Sequence, residues 1–450
     1  MYCLRILQLV VLALFLNACA SVPEQQCPAG TQNLPDCPPA EAVDDEKINT
    51  VYELRTWFPP SKLTIDPIKL GEEAEIPVNS ARSKIIGPRH EEALDSLALK
   101  IWLIENAQHT VDVTYYIFKN DLVGYAVLGA LCNAVKRGVD VRIMVDSLGS
   151  MRPGHSDLRA VETCAVDAGF MRNADGQLST KKARVQVVIF NAISKLQFNR
   201  RSHDKLLVVD GFFPDRAAVI TGGRNISLDY YGINKDGTAD LDAFRDLEIL
   251  IRPGKQSGDE EYTVGKVSEI YNTLLFVHKG NRRIPPLKAD DEFSEGEYDD
   301  IYISHRKKGQ QSLVTLKAFP EIKKRMDNMS SYMSEGFHET QVRLSHQLSN
   351  LTSKDVTTNV EENLKRNPNS ILYLISKIRD EAKEQGVSSG SLQIVSPYLF
   401  SSQYYDEEGQ LIYDGAKETL AWLSENPDMK IVVITNSVMT SDNFFTQAII

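Results

Sequence analysis

The sequence predicts an α/β fold built around a mixed sheet. Short apolar runs closed by turn formers alternate with segments of helical period, and a strand, a helix and a strand follow one another within residues 111–146. That order predicts a right-handed crossover between parallel strands. A helix is expected over 89–108, where Leu94, Leu97, Ile101 and Ile104 recur at helical spacing. VDVTYYIF (111–118) reads as a strand, LVGYAVLGALCNAVKRG (122–138) as a helix and VDVRIMVD (139–146) as a second strand. RVQVVIF (184–190), KLLVVD (205–210), AAVITGG (217–223) and FRDLEILI (244–251) supply further strands.

At 450 residues, with 42% hydrophobic and 25% charged residues, the chain has the composition of a folded protein long enough for two or three domains. Its net charge of −11 argues against a general nucleic-acid binder, which shows a basic surface. The apolar run ILQLVVLALFL is short for a bilayer span and well sized for a signal-peptide core, so 1–18 read as a signal peptide. The following LNAC, Leu16 to Cys19, resembles the lipobox of bacterial lipoproteins, which implies a lipid on Cys19 and attachment in the cell envelope, facing the periplasm. Secretion after cleavage near Ala18–Ala20 is the alternative. Residues 19–85, rich in Pro, Asp and Glu, read as a tether and an extended N-terminal segment. Cys27 and Cys37 bracket a turn-rich loop that a disulfide could close in an oxidising compartment, whereas Cys132 and Cys164 sit in apolar helical patterns as buried core thiols. No spacing of these residues fits a zinc site.

Past residue 255 the texture changes. YTVGKVSEIYNTLLFVHK is helical, 288–300 is a polar, acidic run, and 256–368 as a whole reads as a helical and acidic insertion. From 369 the earlier order returns, with a helix near 370–386, a strand at 391–400, a helix from Gly415 and a strand at 429–437. This predicts a duplicated lobe, the first over 86–255 and the opening of a second over 369–450.

The chemistry concentrates in RSHDKLLVVDG. On a strand, side chains alternate, so His203 and Lys205 share one face and Asp210 tends to the other. An imidazole beside an ammonium suits a phosphate, although a surface His next to a surface Lys would read the same way. After Asp210 comes a loop and then TGGRNIS, with Gly222, Gly223 and Asn225. His-x-Lys, four residues and Asp, followed by a Gly-Gly-x-Asn turn, resembles the phospholipase D superfamily. TYYIF, RGVDVRIMVD and NRRSHDK resemble its bacterial cardiolipin-synthase branch. The resemblance implies a phospholipase D-like α/β/α sandwich and a site that works without a cofactor. Lys205 and Asn225 would supply donors to phosphate, and Gly222 and Gly223 would let backbone approach it. His203 would attack phosphorus to form a covalent phosphohistidine. Glu248, in DLEIL, matches the carboxylate that orients this histidine, with Asp246 on the same face, while Asp210 reads as structural, a candidate for a salt bridge.

Two departures accompany the resemblance. Gly223 stands where the family carries Ser or Thr, which removes one hydroxyl donor. The family site also uses a second motif whose histidine protonates the leaving alcohol. None of the other seven histidines begins one: His305-Arg-Lys307 has the first spacing, but Ser312 stands where Asp is needed. The sequence favours a second motif lying past Ile450. A second copy supplying it, and an inactive phosphate- or lipid-binding scaffold, are the alternatives. The partial second repeat argues against the copy, since it fills the partner's place. Attachment at a membrane surface favours a phospholipid as substrate, with a secreted nuclease-like phosphodiesterase as runner-up, and no nucleic-acid partner is expected.

Overall fold

The computed structural model describes residues 37–57, 78–150, 155–190, 202–255, 262–278, 280–284, 299–342, 344, 382, 384–395, 403–405 and 408–434. The signal-peptide and lipidation readings, with Cys19 and Cys27, lie outside these residues, as do most of the acidic run and of the helix near 370–386.

In chain order the elements are α1 (Glu46–Arg55), β1 (Val78–Ile86), α2 (His90–Asn106), β2 (Thr110–Tyr115), α3 (Leu122–Lys136), β3 (Asp140–Asp146) and α4 (Ser156–Glu162). A small hairpin of β4 (Phe170–Arg172) and β5 (Leu178–Lys182) leads into β6 (Val185–Phe190), β7 (Lys205–Val209), β8 (Ala218–Gly222) and β9 (Glu248–Pro253). Then come α5 (Val264–Phe276), β10 (Arg282–Ile284), α6 (Ser304–Ala318), α7 (Pro320–Asp327), α8 (Met329–Tyr332) and β11 (His338–Val342).

Nine strands form one mixed sheet in the order β10-β6-β3-β2-β7-β8-β9-β1-β11. β2, β3 and β6 are parallel neighbours, and the other pairings are antiparallel. The expected crossover is β2-α3-β3. Helix α3 starts where Asp121 accepts from the backbone N–H of Val123 and Gly124, and its apolar length is buried almost throughout. Strand alternation divides the core. Val113, Leu207, Ile220 and Leu250 pack with α2, α3 and α6 on one face, and Leu206, Val208, Val219 and Ile251 pack with α5 on the other. The fold is thus an α/β/α sandwich.

Three expectations are corrected. The segment 19–85 is more than a tether, because α1 and β1 both belong to the folded body. Arg55 at the end of α1 is fully buried, with ion pairs to Asp112 (2.9 Å), Asp140 (2.8 Å) and Glu269. β1 is an internal strand paired to β9 and β11. The stretch 256–368 supplies the sheet's two outer strands, β10 and β11, and Gly309 of α6 packs on Gly129 of α3 closely enough that a Cβ at 129 would lie 2.4 Å from the Gly309 carbonyl. Cys132 and Cys164 are buried as expected, but they are joined in a disulfide, with Cα atoms 5.5 Å apart. The folded path brings the end of α3 against the turn that follows α4, which linear spacing does not display. Cys37 is also disulfide-bonded.

Residues 389–434 form a separate unit. β12 (Ser389–Val395) and β15 (Asp428–Ile434) are parallel, joined through a hairpin of β13 (Gln403–Tyr405) and β14 (Leu411–Asp414) and helix α9 (Gly415–Glu425). This repeats the β2-α3-β3 order.

Candidate active site

One end of the sheet collects the motif residues. β7 begins there, β2 and β3 finish there, β8 ends in Gly222, and β9 starts at Glu248. The register sets a row across it: Tyr115 pairs with Lys205, and Gly222 pairs with Glu248. One step on from the Leu206–Thr221 pair, Lys205 lies beside Gly222. Paired residues share a face, so Tyr115, Lys205 and Glu248 all project toward the α2/α3 layer.

His203 is exposed at the mouth, just before β7. Its ring lies 4.7 Å from that of Tyr116, and the Lys205 ammonium is 3.3 Å from its ring nitrogens and donates to its carbonyl at 2.9 Å. The backbone on either side is pinned. The Ser202 N–H donates to Asp146, whose carboxylate also accepts from Leu148 and Gly149, and the Tyr116 N–H donates to the Asp204 carbonyl. Asp204 alternates to the other face, where it accepts from the Tyr271 hydroxyl at 3.1 Å. The sequence thus brings His203 and Lys205 together as the alternation predicts.

The other motif residues separate by role. Asp210, at φ 51°, accepts from the N–H groups of Gln108, His109 (2.7 Å) and Thr110 (3.0 Å) and from Arg216 (3.1 Å). It fastens the loop entering β2 at the end of the sheet opposite His203. Asn225 is buried. Its oxygen accepts from the Ile117 N–H at 2.9 Å and its amide donates to the Tyr230 hydroxyl at 2.8 Å, so it holds the 116–118 stretch in place. Gly222 has a φ of 151°, and a Cβ there would stand 2.3 Å from the Leu247 carbonyl. A Cβ at Gly223 would stand 2.2 Å from the Asp246 carboxylate, which occupies the space a Ser or Thr side chain would take.

Glu248 is corrected. Instead of reaching His203, its carboxylate accepts from Lys100 (2.5 Å), from Ser96 and from Arg224 (3.3 Å), and all four are buried. The reason is the register: Gly222 separates it from Lys205, and α2 brings Lys100 up beneath it. Burial pushes the Lys100 amine down to about 8, against the opposing pull of Glu248. Asp246, two residues before β9, is half-buried at the mouth with its carboxylate against Gly223. Lys100, Ser96 and Arg224 were not read from the sequence. Lys100 sits in an apolar helix with no motif around it, and Arg224 hides inside the Gly-Gly-x-Asn turn. Among the described residues no group of three or more His, Cys, Asp or Glu is placed to hold a metal, and no helix is long and apolar enough to cross a membrane.

Residues 101–239 match the family model described as "Cardiolipin synthase, PLD-like domain". This part of the chain is a phospholipase D-superfamily domain. It is 31% identical over 172 residues to cardiolipin synthase C of Escherichia coli (strain K12), covering 36% of this chain and 30% of that protein. It is 26% identical over 176 residues to a cardiolipin synthase of Geobacillus kaustophilus, covering 39% of this chain and 30% of that protein. The chain thus spans about a third of the length of these relatives. Among solved structures, phosphatidylserine synthase of Haemophilus influenzae Rd KW20 aligns at a TM-score of 0.39 with 14% identity, covering 84% of this chain and 68% of that one.

Proposed function

We propose that this protein is a phosphodiesterase or phosphatidyltransferase acting on phospholipids, with His203 as nucleophile. The observation that carries the reading is the Lys205 ammonium held 3.3 Å from the His203 ring at an exposed sheet end. A ring nitrogen of His203 attacks phosphorus, the P–N bond forms, and the bond from phosphorus to the head-group alcohol breaks. Lys205 offsets the charge that builds on the phosphoryl oxygens. The leaving alcohol takes a proton from a general acid, which the family resemblance assigns to a second histidine. Water then breaks the P–N bond to give phosphatidic acid, or a lipid hydroxyl takes the phosphatidyl group. With Glu248 committed to Lys100, Asp246 is the carboxylate that positions the His203 ring through its other nitrogen. A lipid on Cys19 would hold this site at an envelope membrane.

The test is product analysis on vesicles of phosphatidylglycerol and phosphatidylethanolamine. Release of head group that disappears in His203→Ala is expected, and the product, phosphatidic acid or cardiolipin, names hydrolysis or transfer. Binding of vesicles without turnover, unchanged by His203→Ala, would leave a lipid-binding scaffold. Cleavage of DNA or RNA that collapses with added salt would favour the nuclease reading.

A further inference from the structure

Beneath the motif row lies a cluster that the proposed chemistry does not use. Lys100, Arg224 and Glu248 are 1%, 0% and 3% exposed, so two cations and one carboxylate sit in the core with one positive charge in excess. Arg224 also donates to the Gly87 carbonyl at 2.5 Å, which fixes it there. Three further polar atoms in the same surroundings, Tyr115 Oη, Tyr231 Oη and Arg224 Nε, are buried without a hydrogen-bond partner among the described residues. Net charge and unmatched donors are both costly in a core. Their placement suggests what they answer to. Tyr115 is the direct cross-strand neighbour of Lys205, and only Gly222, which has no side chain, lies between Lys205 and Glu248. Glu248 is therefore two strand spacings, about 10 Å, from Lys205, across protein rather than water.

The remaining charges nearby do not cancel the excess. Lys205 and Asp246 add one of each sign at the mouth. Asp146 and Asp204 stand on the other face, Asp121 caps α3 and Glu92 pairs with Arg89 at 3.0 Å.

We propose that this buried excess charge belongs to the anion-binding apparatus: Lys100 and Arg224 act through the core on a singly charged phosphodiester at Lys205, and Glu248 sets their net charge at one. The inference rests on the reading that phosphate binds at Lys205. It makes Lys100, Arg224 and Glu248 positioning residues of an electrostatic kind, since none touches the substrate. One charge at about 10 Å, at an effective dielectric of about 20, changes anion affinity by roughly an order of magnitude.

The test is the affinity of the full chain for tungstate, measured by calorimetry at pH 7 in low salt, with folding of each variant checked by circular dichroism. Lys100→Met removes the excess charge and, because tungstate carries two negative charges, should weaken binding by roughly a hundredfold. Lys100→Arg/Glu248→Gln, whose guanidinium keeps its proton without the carboxylate, raises the excess to two and should tighten it by a similar factor. The double variant Lys100→Met/Glu248→Gln keeps Arg224 alone, restores an excess of one and should return toward wild-type affinity. Opposite signs in Lys100→Met and Lys100→Arg/Glu248→Gln cannot come from mere loosening of the fold, which would weaken both. Because the Lys100 amine is pushed down to about 8, wild-type affinity should also fall between pH 7 and pH 9, as the amine loses its proton. That alkaline fall should be absent in Lys100→Met. The groups facing Lys100 through this range are Glu248, Arg224, Asp246 and the Tyr231 ring, with Tyr115 and Tyr332 facing Glu248. Weaker binding in all three variants, no change in Lys100→Arg/Glu248→Gln, or a wild type that binds no tungstate would each overturn the proposal. Tungstate reports the charge of the site without any chemistry, so this result is independent of whether vesicles are turned over.

Discussion

Asp210, Asp246 and Glu248 are three carboxylates of one motif region, and their partners give them three different fates. Asp210 satisfies three backbone N–H groups and Arg216 at once, in a left-handed conformation that Asn tolerates and Ala does not. Asp210→Ala should therefore cost about 3 kcal/mol in urea unfolding, and Asp210→Asn clearly less, because Asn keeps an acceptor and the backbone shape. Asp246 should act on rate and not on stability. Asp246→Asn is expected to slow turnover by about 100-fold while the melting temperature stays near wild type. A 4-nitrophenyl phosphodiester isolates the step, since its leaving group needs no proton. Wild type should release a burst equal to the enzyme present, and Asp246→Asn should slow that burst. An unchanged burst would remove Asp246 from the site. At this scale the HxK spacing, Asp210 and the Gly-Gly-x-Asn turn were legible because each depends on near neighbours in sequence. The partner of Glu248 was not, since Lys100 lies 148 positions away and only strand register and the α2 packing join them.

Helix α1 shows the same limit for whole elements. Its sequence is polar, with Glu46 at its start and Arg55 in its last turn, and it reads as part of a solvated tether. It buries Ile48, Val51 and Arg55, and Arg55 is the charged one. Arg55 supplies Asp112, Asp140 and Glu269 with their shared cation, helped by Arg142 on Asp112 and Arg184 on Asp140. Burial alone would raise the carboxyls of Asp112 and Asp140, but these guanidiniums hold both below their usual range. Arg55→Met should cost about 3–5 kcal/mol, because it strands buried carboxylates. The native ion pairs stabilise fully above the unfolded carboxylate range, near pH 4, and that part is lost as the pH falls below it. The gap between wild type and Arg55→Met in urea midpoint should therefore narrow on acidification. The disulfide is the second such staple. It closes a 32-residue separation, so Cys132→Ser/Cys164→Ser should lose about 3–4 kcal/mol, read as a lower urea midpoint. The apolar elements β2, β3, β6, β7, β8 and β9, with α2, α3 and α5, were legible from period alone, because their own burial decides them. α1, β1 and β11 were not, since distant strands and buried ions hold them.

Across the molecule, two units share a strand-helix-strand order among the described residues. The first closes its sheet on both faces: α2, α3 and α6 cover one side, α5 covers the other, and β2, β3 and β6 lie inside as parallel strands usually do. In the second unit β12 and β15 are parallel as well, yet Ser389, Gly390, Ser391, Gln393, Lys430 and Val432 are all exposed. Among the described residues, two parallel strands, a short hairpin and one helix do not bury enough apolar surface to offset their ordering entropy. The first body has that burial, with Arg55 and the Cys132–Cys164 bond tying its ends and helices in. A fragment of residues 37–345 should therefore unfold in a single cooperative urea transition, with protected amides in β2, β3 and β7. A fragment of residues 384–450 should show weak dispersion in its amide NMR spectrum and no cooperative transition. If the second fragment instead unfolds sharply, this unit is a domain in its own right, and the burial argument fails at the one place where exposure and repeat order disagree. If the first does not fold, the nine-stranded sheet depends on residues beyond 345, and the second repeat is then part of the body that builds the site.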